Sequence, residues 1–267
     1  MRRVALTLRA DAVEELLDVL MPLVPPGVYE RVLDPQYTEV AFFGDGLPAA
    51  ALEAIPGDAL LGRDEEQVPD SREERRRRAG RAWTVAGRLR VRSPDDPPPG
   101  DGVRDIVIEP APGAFGTGAH PTTRGCLELL LELQPGGGLA DLGCGSGVVA
   151  IAAAQLGWEP VYALDFDERS VVATERNAQR NGVAVRAVLG DLREIPAPPA
   201  HSLVANIPLD VHERVADSLS PATARVIVSG ITASQEAAAT AAYGRAGLAL
   251  RGRRVGGGWG ALWLERP

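Results

Sequence analysis

The stretch Leu139-Ala-Asp-Leu-Gly-Cys-Gly-Ser-Gly-Val148 decides the fold. It opens apolar, as a buried strand does, reaches Asp141, and turns through Gly143, Gly145 and Gly147. The run Val148-Val-Ala-Ile-Ala-Ala-Ala154 follows, and then Gly157. Strand, glycine turn and helix in that order make a nucleotide-type binding turn. Glycine adopts positive φ without strain and leaves room where a Cβ would block a ligand. The helix start adds unpaired N–H donors and a partial positive charge.

The type of nucleotide follows from the spacing. The dinucleotide fingerprint Gly-x-Gly-x-x-Gly needs a third glycine where this chain has Val148. The phosphate-loop Gly-Lys-Ser/Thr is excluded, because the chain contains no lysine. What remains is Asp-x-Gly-x-Gly-x-Gly, with an acid just before the turn.

Downstream, strands and helices alternate. Val161 to Leu164 is apolar and ends at Asp165, 24 residues after Asp141. In doubly wound folds an acid about 20 residues past the glycines takes the ribose hydroxyls. Its carboxylate accepts two charge-assisted hydrogen bonds from the diol. A helix is expected over 168–181 and a third strand over 183–189, ending at Gly190-Asp191. Asp191 suits either an adenine amino group or a turn. A fourth strand over 201–205 ends at Asn206-Ile-Pro-Leu209. Beyond it we expect a helix over 210–219, a strand over 226–229, a helix over 232–244 and strands over 247–255 and 259–264. This pattern predicts an α/β, Rossmann-like fold: a mostly parallel sheet covered on both faces, with an antiparallel hairpin at one edge. Ligands belong at the C-terminal ends of its strands.

Upstream, Pro112-Gly-Ala-Phe-Gly-Thr-Gly-Ala-His-Pro-Thr-Thr123 reads as a ligand-covering loop before a helix over 122–134. Pro121 suits the first turn of that helix. His120 is a candidate base or a structural loop histidine; His201 and His212 read as structural. Residues 1–62 are expected to form a small ferredoxin-like α/β domain for substrate recognition. Within it Val4, Leu6 and Leu8 alternate, Asp11 caps a helix, strands fall near 28–33 and 38–43, and a second helix runs over 47–55. Residues 63–102 read as a charged and Pro-rich linker. Its acids and arginines, Glu73, Glu74, Arg77 and Arg78 among them, suit a solvated helix with i,i+4 pairs more than an RNA contact. Trp83 to Val91 alternates like a strand. Residues 103–267 form the main domain.

Composition bounds the function. The 267 residues carry a net charge of −8, which argues against a broad nucleic-acid-binding surface. Two cysteines, Cys126 and Cys144, make neither a disulfide framework nor a metal cluster. No apolar run is long enough to cross a membrane, and charge interrupts the N-terminus too early for a secretory signal. A cytoplasmic monomer without a metal is expected.

Three stretches together resemble the PrmA family, methyltransferases of large-subunit ribosomal protein eleven. They are Ala114-Phe-Gly-Thr-Gly-Ala-His-Pro-Thr-Thr123, Asp141-Leu-Gly-Cys-Gly-Ser-Gly-Val-Val-Ala-Ile-Ala152 and Val204-Ala-Asn-Ile207. Ser229-Gly-Ile-Thr-Ala-Ser-Gln235 fits as well. The resemblance implies a class I methyltransferase using S-adenosylmethionine. It implies methylation of lysine side chains and the N-terminal α-amine of a ribosomal protein. Carried across residue by residue, Thr123, Gly143, Asp165 and Asn206 would contact the cofactor, with Phe115, Thr117 and His120 in the loop over it. Asp141, Gly145, Gly147 and Asp191 complete the expected cofactor site. Asn206 and the Ile207 carbonyl would accept hydrogens from the substrate amine. Asn206-x-Pro208 also resembles part of the Asn-Pro-Pro-Tyr motif of amide and adenine N-methyltransferases, without its second proline and aromatic. A glutamine side chain or small-molecule amine is therefore an alternative acceptor, and a non-catalytic cofactor-binding protein a further alternative.

Overall fold

The computed structural model describes residues 2–13, 16, 20, 28–34, 37–44, 47–67, 82–100, 102–109 and 120–267. The described residues up to Gln67 make one compact unit, and those from Ala82 onward make a second.

The first unit contains strands β1 (Arg2–Arg9), β2 (Val28–Asp34), β3 (Tyr37–Gly44) and β4 (Leu60–Gln67), with helix α1 (Ala49–Glu53) before β4. The sheet order is β2-β3-β1-β4, every neighbour antiparallel. The alternation read in β1 holds: Val4, Leu6 and Leu8 are fully buried. Val13, Leu16 and Leu20 are buried too, while the rest of the helix expected after Asp11 lies outside the described residues. Strand β4 falls across the boundary expected between domain and linker. Its side chains are mostly exposed, so it carries no apolar alternation to reveal it. Backbone pairing to β1 holds it instead, with cross-strand ion pairs of Arg2 with Glu65 and Arg3 with Glu66. The arginine run through Arg78 lies outside the described residues.

The second unit begins with a small sheet of β5 (Trp83–Val85), β6 (Leu89–Arg92) and β7 (Arg104–Val107). The strand expected from Trp83 to Val91 is a hairpin. The chain reverses at Ala86 and Gly87, both at positive φ. The alternation survives the reversal because both arms face the same way. Trp83, Val85, Leu89 and Val91 are all buried in one apolar cluster with Ile106, Leu127 and Leu130. This hairpin, read from composition as linker, is thus part of the main unit's core.

The large sheet has seven strands in the order β10-β9-β8-β11-β12-β14-β13. Here β8 is Leu139–Leu142, β9 Val161–Asp165, β10 Arg186–Leu189, β11 Ser202–Asn206, β12 Arg225–Thr232, β13 Ala249–Gly256 and β14 Trp259–Glu265. Strands β10, β9, β8, β11 and β12 are parallel, and β14 runs antiparallel between β12 and β13. This is the expected mostly parallel sheet with its antiparallel hairpin. Helices α2 (Pro121–Leu130), α3 (Val148–Leu156), α4 (Glu168–Arg180), α5 (Leu209–Asp217) and α6 (Glu236–Arg245) connect and cover the strands. Two buried clusters line the sheet's faces. One centres on α2 and α3, and the other on α5 and α6 with Tyr243 fully buried. The order reverses direction at β8, between its neighbours β9 and β11, which places the crevice beside the end of β8.

Candidate functional site

The site is built on the ends of β8, β9 and β11. After β8 the chain turns through Gly143, Gly145 and Gly147 at φ of 74°, 54° and 82°. Two of these glycines are also fixed by space. A Cβ on Gly143 would lie 2.7 Å from Ile207 Cγ2 and 3.3 Å from the Asn206 carbonyl oxygen. A Cβ on Gly147 would lie 2.9 Å from both Cγ2 and Oγ1 of Thr174 on α4. The turn is therefore pressed between the end of β11 and helix α4. Thr174 Oγ1 donates its one hydrogen to the Gly145 carbonyl at 3.1 Å and lies 3.3 Å from Cys144 Sγ, which packs buried beside it.

The two acids at the strand ends do different work. Asp141 is buried beneath the turn, and its Oδ2 accepts from the Ala150 amide of α3 at 3.0 Å. Burial pushes its carboxyl up to about 7, with the neighbouring Asp165 charge adding and the Ala150 N–H opposing. Asp141 is thus engaged with the turn's own helix. Asp165 Oδ2 accepts from Gly145 N at 2.9 Å, and its Oδ1 accepts from Asp167 N at 3.0 Å. Each oxygen keeps a second lone pair, enough for a diol. Burial raises its pKa above the ordinary carboxylate value, and the two amide bonds oppose that rise. Asp167 caps α4 through Arg169 N at 3.0 Å.

Beside Asp165, Phe166 exposes 66% of its surface. Leu189, Ile195 and Val188 add further exposed apolar surface near the ends of β9 and β10. An aromatic left bare next to a ribose-type acid offers a flat face to a base. Sequence reasoning passed over Phe166; its place directly after the strand-ending acid was the available signal. Asp191, at the end of β10, accepts from Arg193 N at 2.8 Å and sits in a turn closed by Glu194 N and Ile195 N on its carbonyl. Of its two sequence readings, the turn is the one with visible partners.

On the other side of β8 stand Asn206 and Ile207. Asn206 Nδ2 lies 3.2 Å from Thr122 Oγ1, and Thr122 Oγ1 lies 2.8 Å from His120 Nδ1. His120 is the N-cap of α2, with Thr122 N donating to Nδ1 at 3.4 Å. Its ring meets Trp259 edge-on at 5.1 Å. Burial lowers its pKa to about 4. Thr123 is buried in the same first turn. Phe115 and Thr117 lie outside the described residues.

The Asn206-Ile207 backbone is held from below. Ile207 N donates to the Ser229 carbonyl at 3.1 Å, and His212 Nε2 donates to the same oxygen at 2.8 Å. His212 Nδ1 then accepts from Tyr243 Oη at 3.0 Å. His212 is fully buried and neutral, its pKa lowered by burial to about 4, in keeping with its structural reading. Gly230, at φ 79°, comes so close that a Cβ would lie 2.6 Å from the Ile207 carbonyl oxygen and 2.7 Å from Ile207 N. Its only sequence signal was its position in the Ser229–Gln235 stretch. Asn177 ties the opposite flank. Its Nδ2 donates to Ser146 O at 2.9 Å, and its Oδ1 accepts from Glu109 N at 3.0 Å. Among the described residues no cluster of His, Cys, Asp and Glu is placed to hold a metal ion, and no helix is long and apolar enough to cross a membrane.

Comparison with known proteins adds relatives to this geometry. Residues 87–267 match the family described as ribosomal protein L11 methyltransferase (PrmA). A ribosomal protein L11 methyltransferase of Geobacter sulfurreducens is 37% identical over 226 residues, covering 83% of this chain and 73% of that protein. One from Symbiobacterium thermophilum is 40% identical over 174 residues, covering 63% of this chain and 57% of the relative. With several of these curated relatives the chain thus matches little more than half of their length. A crystal structure of a ribosomal protein L11 methylase from Lactobacillus delbrueckii subsp. bulgaricus superimposes with a TM-score of 0.61 at 27% identity, covering 70% of this chain and 99% of that one. The matched family region, residues 87–267, contains the glycine turn, Asp165 and Asn206. This chain belongs to the PrmA family of ribosomal protein L11 methyltransferases.

Proposed function

We propose that the protein transfers methyl groups from S-adenosylmethionine to amine nitrogens of ribosomal protein L11, lysine side chains and the N-terminal α-amine, acting as a cytoplasmic monomer. The observation that carries this reading is the contact between the glycine turn and the Asn206-Ile207 segment, which Gly143 permits by lacking a Cβ. A ligand on the turn then has the amine-aiming residues beside it.

The residues suit the cofactor. Asp165 has lone pairs for a ribose diol beyond its two amide bonds, Phe166 offers a bare ring for adenine, and the glycines admit close backbone approach. In this reading Thr123 and Asn206 would contact the cofactor on the other side of the turn, and Asp191 would contact its adenine end. When bound, S-adenosylmethionine supplies a methyl group already activated on a sulfonium. The protein's task is positioning, which can contribute roughly 7–11 kcal/mol. Asn206 Oδ1 and the Ile207 carbonyl accept the hydrogens of a neutral amine and aim its lone pair. With a lysine pKa near ~10.4, about one side chain in a thousand is neutral at pH 7.4, so the site must also favour the uncharged form. Burial beside a cation does that. No general base is required of His120.

The test is transfer of labelled methyl from S-adenosylmethionine to purified large-subunit ribosomal proteins. Label in L11, at lysine and α-amine positions, is the expected result. A folded, cofactor-binding protein that labels none of them contradicts the proposal.

A further inference from the structure

The amide of Asn206 can stand either way round, and the chemistry depends on which. With Nδ2 toward the substrate it would donate; with Oδ1 toward the substrate it accepts, as an amine N–H requires. The surrounding contacts decide between them. Thr122 N is a backbone donor, and it points at His120 Nδ1, so Nδ1 is an acceptor. The 2.8 Å contact between Nδ1 and Thr122 Oγ1 needs one hydrogen, and only the threonine can supply it. Having spent its proton there, Thr122 Oγ1 can only accept along the 3.2 Å contact from Asn206. The amide atom facing Thr122 must therefore be the donor, Nδ2. A flipped Asn206 would set two acceptors against each other.

We propose that Thr122 is a positioning residue, backed by His120, which holds Asn206 so that its amide nitrogen is occupied and its carbonyl oxygen is presented to the acceptor amine. This rests on the proposed function for what the oxygen meets, while the orientation itself follows from the hydrogen-bond directions. Thr122 is buried and stands at the second helical position of α2, directly after Pro121. His120 caps the same helix with its ring packed against Trp259, so the relay hangs on a fixed helix end. Burial lowers the His120 pKa to about 4, so the ring is neutral near pH 7, and the Thr122 N–H directed at Nδ1 selects the tautomer in which Nδ1 accepts. The direction is thus built into the fold: backbone to histidine, threonine to histidine, asparagine to threonine.

The test uses the full chain, with Thr122→Val to remove the hydroxyl at equal size and Thr122→Ser to restore it. Thr122→Val is expected to lower kcat about tenfold or more, while S-adenosylhomocysteine affinity stays within about threefold. Thr122→Ser is expected to remain within about threefold of the parent in both. The side-chain amide resonance of Asn206, assigned by its loss in Asn206→Asp, supplies a readout independent of turnover. It should shift and exchange faster in Thr122→Val and return in Thr122→Ser. His120→Asn, which keeps a cap acceptor, breaks the same relay if Thr122→Val does not fold. An Asn206 amide resonance unchanged by Thr122→Val and His120→Asn would overturn the proposal, as would a serine variant as impaired as the valine. If the parent protein transfers no methyl at all, the proposed function fails, and the amide resonance still decides the relay.

Discussion

The two flanks of the glycine turn are held by different means. On the β9 side, Asp165 is tied by backbone amides of Gly145 and Asp167, and Asp141 by that of Ala150. On the β11 side, Asn206 is reached through the side chains of Thr122 and His120, which come from a helix start 84 residues earlier in the chain. The first flank is a local consequence of strand, turn and helix in succession. The second exists only because α2 packs against the same sheet. Under the proposed function the difference matters: a generic flank would bind the cofactor, and a particular flank would aim the acceptor.

That contrast can be broken or sharpened by substitution. The largest effect is expected at Gly230, which lies directly against the backbone of the β11 flank. A Cβ there meets the Ile207 backbone at 2.6 Å in a left-handed conformation, and neither partner is the flexible end of a side chain. Gly230→Ala should cost about 4 kcal/mol, combining positive-φ strain and overpacking, and a denaturation midpoint will read it. Next, Asp165→Ala should weaken S-adenosylhomocysteine binding more than tenfold, at least about 1.4 kcal/mol, by calorimetry. Unchanged affinity would remove the ribose assignment.

Asp141 gives a smaller effect with a definite sign. Its folded carboxyl titrates near 7 against an unfolded value near 3.8, so the folded state binds the extra proton. Its contribution is fully present below about pH 4 and is lost as pH rises through about 7. Asp141→Asn keeps an acceptor for Ala150 N and removes the titration. The parent's stability should fall by on the order of 1–3 kcal/mol more than the variant's between pH 5 and 8. Equal pH profiles would show that Asp141 does not titrate in that range. The smallest effect is expected at Phe166→Ala, a few-fold loss of S-adenosylhomocysteine affinity with stability unchanged, because the ring is largely exposed.

What was legible in the sequence follows the same division. The glycine turn, the strand-end position of Asp165 and the order of strands and helices could be read because each signal lies within one strand–turn–helix unit. The hairpin of β5 and β6 kept its period-two pattern through a turn, so it read as one strand, and the charged and Pro-rich stretches around it made it read as linker. Strand β4 was illegible because its side chains are exposed and its register comes from β1. Thr122 could not be told from Thr123 by sequence, since only the helix's rotation over the sheet decides which hydroxyl meets Asn206. Gly230 was hidden for the same reason: nothing local demands a glycine until Ile207 is brought against it.

The most direct test of the central claim is a parallel calorimetric titration of the full chain with S-adenosylhomocysteine, S-adenosylmethionine and NAD. Micromolar binding of the first two, about −8 kcal/mol, with none for NAD, is the predicted result. Binding of NAD with neither of the others would contradict it, and the assignments of Asp165, Phe166 and the glycine turn would fall together.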